Sequence, residues 1–337
     1  MKIAVVGGGV IGLTTAFRLQ YEFMRNAEIT VFAESFDNIV SYTAAGIFRV
    51  GTSYCGASET NTRKWINDSY EYYDNIRRIY EASRAGVTDI CGYIFANSSP
   101  HVVSNHWLEP LVPIYRKATE EELQLHGDWK YGSFFSTLLT QCDLYLPWIK
   151  QRLQSDGVTF KQRYLKSLKE LVHNFDIIMN CTGLGARSLC DDKRLVAVRG
   201  QVYKVNAPWI KMFCYGELDT YVIPNLNGAV TLGGTRNFDC ENMTICPYES
   251  AAIFARCRKL IPSLANAQLI RQEVGLRPHR EGGIKIGRGT TDNTAESIIV
   301  DNYGHDGYGV SMAPGTASEA IHTAIQLHTR SSFVSKL

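Results

Sequence analysis

The opening residues constrain the fold more than any other part of the chain. Met1-Lys2-Ile3-Ala4-Val5-Val6 is a short β-branched strand that runs into Gly7-Gly8-Gly9-Val10-Ile11-Gly12, and Leu13-Thr14-Thr15-Ala16-Phe17-Arg18-Leu19 continues as a helix. In a G-x-G-x-x-G loop placed this way, Gly7 permits the tight turn and Gly9 lets a pyrophosphate reach the backbone. Gly12 lets the helix lie close against the strand. The phosphates then sit on N–H groups at the helix N-terminus, so Val10 and Ile11 join the glycines as binding residues. Ile29-Thr30-Val31-Phe32 reads as the second strand, and Glu34 follows it, 22 residues after Gly12. A carboxylate at that place accepts hydrogen bonds from an adenosine ribose. A glycine loop alone also serves plain turns. Strand, helix and spaced acid together point to a bound dinucleotide, although the fingerprint does not separate NAD from FAD.

A chain of 337 residues can bury a large core and predicts two domains. Hydrophobic residues at 45% and charged residues at 20% suit an ordinary globular enzyme. The formal charge of +2 gives no reason to expect nucleic acid or an anionic membrane as partner. No apolar run approaches the ~20 residues needed to cross a bilayer. The N-terminal apolar residues belong to the first strand and are interrupted by glycines, unlike a signal peptide. Nine scattered cysteines without a Cys-x-x-Cys pair read as reduced thiols, and no metal site is expected. Residues 331–337 read as a tail carrying Ser335-Lys336-Leu337, the address recognised by the peroxisomal import receptor, so the expected location is the peroxisome.

Further along, Ser41-Tyr42-Thr43-Ala44-Ala45-Gly46-Ile47-Phe48 offers small residues suited to packing against a flat ring. Residues 60–83 and Phe134 to Leu153 carry apolar and aromatic residues at helical spacing and are expected to be helix faces on a core. Asp176-Ile177-Ile178-Met179-Asn180-Cys181-Thr182-Gly183 behaves as a buried parallel strand ending at a ligand crevice. Gln201 to Val205 is a strand, and Thr220 to Pro224 with Ala229 to Gly233 form a hairpin around Asn225-Leu226-Asn227-Gly228. Finally Ser297 to Val300 is a strand, Asn302 to Gly309 is glycine-rich, and Pro314 to Leu327 is a helix. This last strand–loop–helix offers a second set of backbone N–H groups near the cofactor, which suits a flavin better than NAD. The expected fold is α/β (α+β, two-domain). A Rossmann-like dinucleotide domain (1–52, 141–195 and 280–330) is interleaved with a mostly antiparallel substrate domain (53–140 and 196–279).

Several of these blocks together resemble the D-amino-acid oxidase family. They are the N-terminal fingerprint, Thr43-Ala44-Ala45-Gly46, Asn180-Cys181-Thr182-Gly183, Arg199-Gly200-Gln201, Gly275-Leu276-Arg277-Pro278, and Asn302-Tyr303-Gly304-His305-Asp306-Gly307-Tyr308-Gly309. They follow the family's order over nearly the whole chain. The resemblance implies a non-covalently bound FAD, to which the amino-acid Cα hydrogen passes as hydride. O2 then takes the electrons to give hydrogen peroxide, and the imino acid hydrolyses to a 2-oxo acid and ammonium. It further implies that Arg277 clamps the α-carboxylate with the help of Tyr221, while the carbonyl of Gly307 accepts from the amine. Only arginine offers a planar fork matching a carboxylate in two parallel hydrogen bonds. Beyond the fingerprint and Glu34, the implied cofactor residues are Ser35, Thr43, Ala45, Gly46, Leu165, Thr182, Gly183, Gly304, Asp306, Gly309, Val310 and Ser311.

Arg236, in Gly233-Gly234-Thr235-Arg236, is similar to the arginine of family members that take acidic substrates. The expected substrate is therefore an acidic D-amino acid: D-aspartate, with D-glutamate or N-methyl-D-aspartate besides. Left empty by a neutral substrate, a desolvated and unpaired Arg236 would cost several kcal/mol and enforce selectivity. Glu217 falls where neutral-type members carry a lid tyrosine, Asp219 follows it, and Asp306 replaces a small residue. Such carboxylates repel an acidic substrate unless they face solvent or pair with arginine. His305 reads as a hydrogen-bonding residue of the glycine loop, and His279 as a pocket-edge or solvated residue. A neutral-substrate oxidase, an NAD(P)-dependent dehydrogenase and a non-enzymatic flavin-binding scaffold remain alternatives, and the assembly is expected to be a monomer or homodimer.

Overall fold

A computed structural model describes residues 1–23, 26–52, 56, 58–125, 127–289 and 297–334, with side chains through residue 330. Two sheets share one chain. In the first, six strands run in the order Lys285–Arg288, Ile298–Tyr303, Ile177–Asn180, Lys2–Val6, Glu28–Ala33 and Thr159–Gln162. All neighbours are parallel except the edge strand Lys285–Arg288, which is antiparallel to Ile298–Tyr303. The second sheet has nine strands built around the long strand Leu195–Asn206, which pairs on one edge with Gln268–Arg280 and on the other with Ala229–Gly233 and Asn237–Phe238. The protein is thus a mixed α/β chain that passes back and forth between a parallel and a largely antiparallel sheet.

Local chemistry accounts for the elements that build the dinucleotide half. Ile3, Ala4, Val5 and Val6 are buried on both faces of the parallel sheet, as its central strand must be. The Val10–Phe23 helix follows at once, its buried Leu13, Ala16 and Leu19 lying on one face. Gly12 has a packing role: a Cβ there would lie 2.0 Å from the carbonyl oxygen of Gly7. The Glu59–Ile79 helix opens with Ser58, whose hydroxyl accepts from Asn61 N–H, and closes with Arg77 and Arg78 opposite its negative end. It packs on the Gly309–Val334 helix through Ser69, which accepts from Gly315 N–H at 2.8 Å.

Two sequence expectations need correction. Phe134 to Thr140 is not helical but belongs to the strand Tyr131–Thr140, paired antiparallel with Val87–Ala96, and the helix begins only at Cys142. Phe134-Phe135 and Thr137-Leu138-Leu139-Thr140 are aromatic, β-branched and apolar, and a short run of that kind is ambiguous by spacing alone. The last helix also starts at Gly309 rather than Pro314, which lies inside it; the Val310 carbonyl, left without a partner four residues before the proline, accepts from the Tyr73 hydroxyl at 2.8 Å. The Asn225 to Gly228 hairpin turn and the strands on either side are found as read.

The contact between Gly12 and Gly7 leaves no space for a methyl group. Gly12→Ala is expected to lose about 1–3 kcal/mol of stability through overpacking. Urea unfolding measures it, and an unchanged midpoint and slope would contradict the contact.

Candidate active site

The carboxyl ends of the parallel strands open onto one cavity of about 1240 Å³. That is larger than the ~300–1,000 Å³ typical of a drug-sized ligand, and room for a dinucleotide with a second small molecule. Gly7, Gly9, Val10 and Ile11 line it after the first strand, Glu34 and Ser35 after the second, Leu165 beyond Thr159–Gln162, and Thr182 and Gly183 beyond Ile177–Asn180. Thr43, Ala45 and Gly46 line it as well, as do Asp306, Gly307, Gly309, Val310 and Ser311. A crevice at the carboxyl ends of parallel strands is the usual ligand position in such sheets. Gly12 and Gly304 do not line it. The first is spent on packing, and the second turns the chain at φ +88° against the Arg280 side chain.

The walls fit a flavin dinucleotide. Glu34 is exposed at its strand end with no ion pair among the described residues, leaving its carboxylate available. The buried Asn302 lines the cavity with neither amide atom hydrogen-bonded by protein, an arrangement that calls for an outside partner. One donor is already taken, since Val10 N–H donates to Ser41 Oγ at 3.0 Å. Ser41 therefore caps the helix, a role that residue type alone did not distinguish from its neighbours.

At the other end, Arg277 and Tyr221 come together on neighbouring parts of the second sheet. The guanidinium lies flat on Gly200, where a Cβ would fall 2.4 Å from its Nη atoms, and Nη1 donates to Thr235 carbonyl at 3.1 Å. Burial raises the Tyr221 phenol above its ordinary value, while the Arg277 charge works in the opposite direction. Gly307 sits against Arg277, 3.4 Å from Cδ to the position of its would-be Cβ. Among the lining residues that escaped the sequence reading are Arg49, Tyr215 and Tyr308. The signal for Arg49 was a lone charge in the run Ile47-Phe48-Arg49-Val50, whose apolar members are all buried.

The carboxylates are disposed of in three ways. Glu217 accepts from the N–H groups of Asn97 and Ser98 at 3.0 and 2.8 Å, and the Ser98 side chain together with these two bonds holds its carboxyl below the usual range. The turn it occupies joins Phe213–Tyr215 to Tyr221–Pro224 and is closed by a Gly216 N–H to Thr220 carbonyl bond, so it is a latched turn. Asp219 is exposed. Asp306 Oδ2 lies 3.4 Å from Arg236 Nη1 and 3.4 Å from His279 Nδ1, placing His279 at the pocket edge. Arg236 therefore departs from expectation: its side chain is 46% exposed and paired, not desolvated and unpaired. The desolvation cost assigned to it from sequence does not apply. His305 is buried, with Nε2 3.0 Å from Thr316 Oγ1.

The family described as FAD dependent oxidoreductase matches residues 2–322 of the chain. The chain belongs to that family. It is 35% identical to the D-aspartate oxidase of Homo sapiens over 95% of this chain and 93% of the relative. It is 32% identical to the D-amino-acid oxidase of Streptomyces coelicolor over 96% of each. Among solved structures, glycine oxidase from Geobacillus kaustophilus shares the fold with a TM-score of 0.79 at 15% identity, covering 96% of this chain and 94% of that one. L-alpha-glycerophosphate oxidase from Mycoplasma pneumoniae with FAD bound does so with a TM-score of 0.73 at 17% identity, covering 96% and 94%. The resemblance to D-amino-acid oxidases seen in the sequence holds, and the protein is an FAD-dependent oxidoreductase rather than an NAD(P) dehydrogenase.

Burial pushes the His305 imidazole of this oxidoreductase down to about 3 from 6.5. The stability tied to the neutral ring is complete above 6.5 and is lost as pH falls toward 3. The difference in urea midpoint between wild type and His305→Gln should therefore shrink in acid. A difference independent of pH would contradict a buried neutral imidazole.

Proposed function

We propose that the protein oxidises acidic D-amino acids, with D-aspartate as the main substrate and D-glutamate or N-methyl-D-aspartate as further ones. The products are the 2-oxo acid, ammonium and hydrogen peroxide. One observation carries this reading: Arg49 and Arg277 line the same cavity with no carboxylate partner among the described residues, while Arg236, which also lines it, is paired with Asp306. Two guanidinium groups left for a ligand suit a dicarboxylate. The 35% identity to human D-aspartate oxidase supports it.

Bound FAD supplies the acceptor for the hydrogen on the amino-acid Cα and delivers the electrons to O2. Gly7, Gly9, Val10, Ile11, Glu34, Ser35, Leu165, Thr182 and Gly183 would hold it, with Thr43, Ala45, Gly46, Asp306, Gly309, Val310 and Ser311. The protein's own part is positioning. Arg277 takes the α-carboxylate, with its fork held flat by Gly200 and Thr235. Tyr221 shares that carboxylate, and the Gly307 carbonyl accepts from the amine. Transfer of the Cα hydrogen as hydride needs a neutral amine but no base at Cα, and His305 is already engaged with Thr316. Arg236, half exposed and paired with Asp306, contributes to a side-chain carboxylate from the rim.

The peroxisome and its import receptor are part of the proposal, on Ser335-Lys336-Leu337, which lies outside the described residues. There the peroxide produced can be destroyed. In a protein ending in this tripeptide, deleting Leu337 should abolish a punctate distribution.

A peroxide assay over a panel of D-amino acids is the deciding experiment, and higher kcat/KM for D-alanine than for D-aspartate would sink the proposal. Arg277→Ala should depress every substrate alike. Arg236→Ala should lower the D-aspartate to D-alanine ratio only about tenfold, in keeping with a half-exposed charged contact. An equal effect on both substrates would make Arg236 structural. Glu34→Ala should lose FAD on dialysis while keeping its fold, and full retention would remove Glu34 from the ribose.

A further inference from the structure

The acidic-substrate reading leaves open which cation meets the side-chain carboxylate. Arg236 is the residue the sequence suggests, yet it is half exposed at the rim and its charge is shared with Asp306. Arg49 is different. Among the described residues it has no carboxylate partner. Its guanidinium lies 4.9 Å from the centre of the Tyr215 ring, and it lines the same cavity as Arg277. Tyr215 in turn packs on Tyr221, with ring centres 5.7 Å apart, and Tyr221 adjoins Arg277. Two tyrosine rings thus separate two guanidinium groups on one wall.

The segment that presents Arg49 is rigid. Thr137 Oγ1 donates to the Phe48 carbonyl at 2.7 Å, and Asn105 Nδ2 donates to the Val50 carbonyl at 2.8 Å, fixing the backbone on either side. Ile47, Phe48 and Val50 are buried. The Tyr308 hydroxyl presses on Gly51, where a Cβ would fall 2.3 Å away, tying this segment to the glycine loop that carries Gly307. A half-buried cation held by a ring face, without an anion, is poised for an anionic ligand. The flat tyrosine face orients the fork while leaving its N–H edge free.

We propose that Arg49 receives the side-chain carboxylate of the acidic D-amino acid, opposite Arg277 at the α-carboxylate, and that the Tyr215 ring positions it. This rests on the acidic-substrate reading above. Arg236 and Asp306 then form a nearly neutral rim pair, and Arg49 supplies the uncompensated positive charge. A neutral side chain leaves that charge without an anion, so selectivity against it follows from the same residue.

The test uses FAD-loaded wild type, Arg49→Gln and Arg49→Lys, with active sites counted by flavin absorbance so that folding losses do not enter. The quantity read is the ratio of kcat/KM for D-aspartate to that for D-alanine. In Arg49→Gln the ratio should fall by about 10- to 100-fold, the worth of a hydrogen bond to a charged group. Arg49→Lys should recover part of it, since a cation is restored without the fork. A structural role would lower both substrates together and leave the ratio alone. That result overturns the proposal, as does an unchanged ratio in both variants while wild type prefers D-aspartate. A wild type that prefers D-alanine removes the acidic-substrate reading itself, and this proposal with it.

Discussion

The structure depends on a backbone-on-backbone contact at the start of the chain. A Cβ on Gly7 would fall 2.2 Å from the carbonyl oxygen of Cys181, and one on Gly12 would fall 2.0 Å from that of Gly7. First strand, first helix and the Ile177–Asn180 strand therefore meet with no side chain between them. The carboxyl ends of the parallel strands are drawn together there, and the crevice they leave is the cofactor slot. Ser41 closes the same corner by taking the Val10 N–H, which ties the segment leading into Thr43 to Gly46 to the helix as well.

From that slot the second sheet reaches over with its charged residues. The long Leu195–Asn206 strand carries Gly200, and the strand paired with it sets Gly275 opposite Gly200 and Arg277 opposite Val198, so the Arg277 side chain reaches diagonally across to lie over Gly200. Neighbouring Arg199 is buried and spends itself on Glu249, Gln201 and the carbonyls of Asn242 and Thr244, which holds the connection beyond Arg236 in place. Two adjacent blocks thus do opposite work: Arg199 is satisfied by protein, and Arg277 keeps its edge for a ligand.

Much of this could be read in the sequence. The fingerprint and Glu34 are local, with chemistry set by spacing, and Arg277 stands in a block specific enough to identify. The misreadings are tertiary. Phe134 to Thr140 became a strand because Val87–Ala96 pairs with it, a partner that spacing within the run does not show. The exposure of Arg236 and its pairing with Asp306 depend on a residue 70 positions away. Arg49 was passed over because its meaning comes from the absence of a carboxylate partner among the described residues, and that is visible only in space. Gly304, like Gly12, belongs to the motif but serves the chain's geometry rather than the cavity.

The central claim is that this cavity is built for two carboxylates, and it can be tested without turnover. Succinate and butyrate have the same carbon count and differ in the second carboxylate. Titrating each into the FAD-loaded enzyme, with flavin fluorescence or absorbance as the signal, gives their dissociation constants directly. Succinate should bind at least about tenfold more tightly, since a second charged contact is worth that much or more. Equal affinities, or tighter binding of butyrate, would contradict a dicarboxylate site.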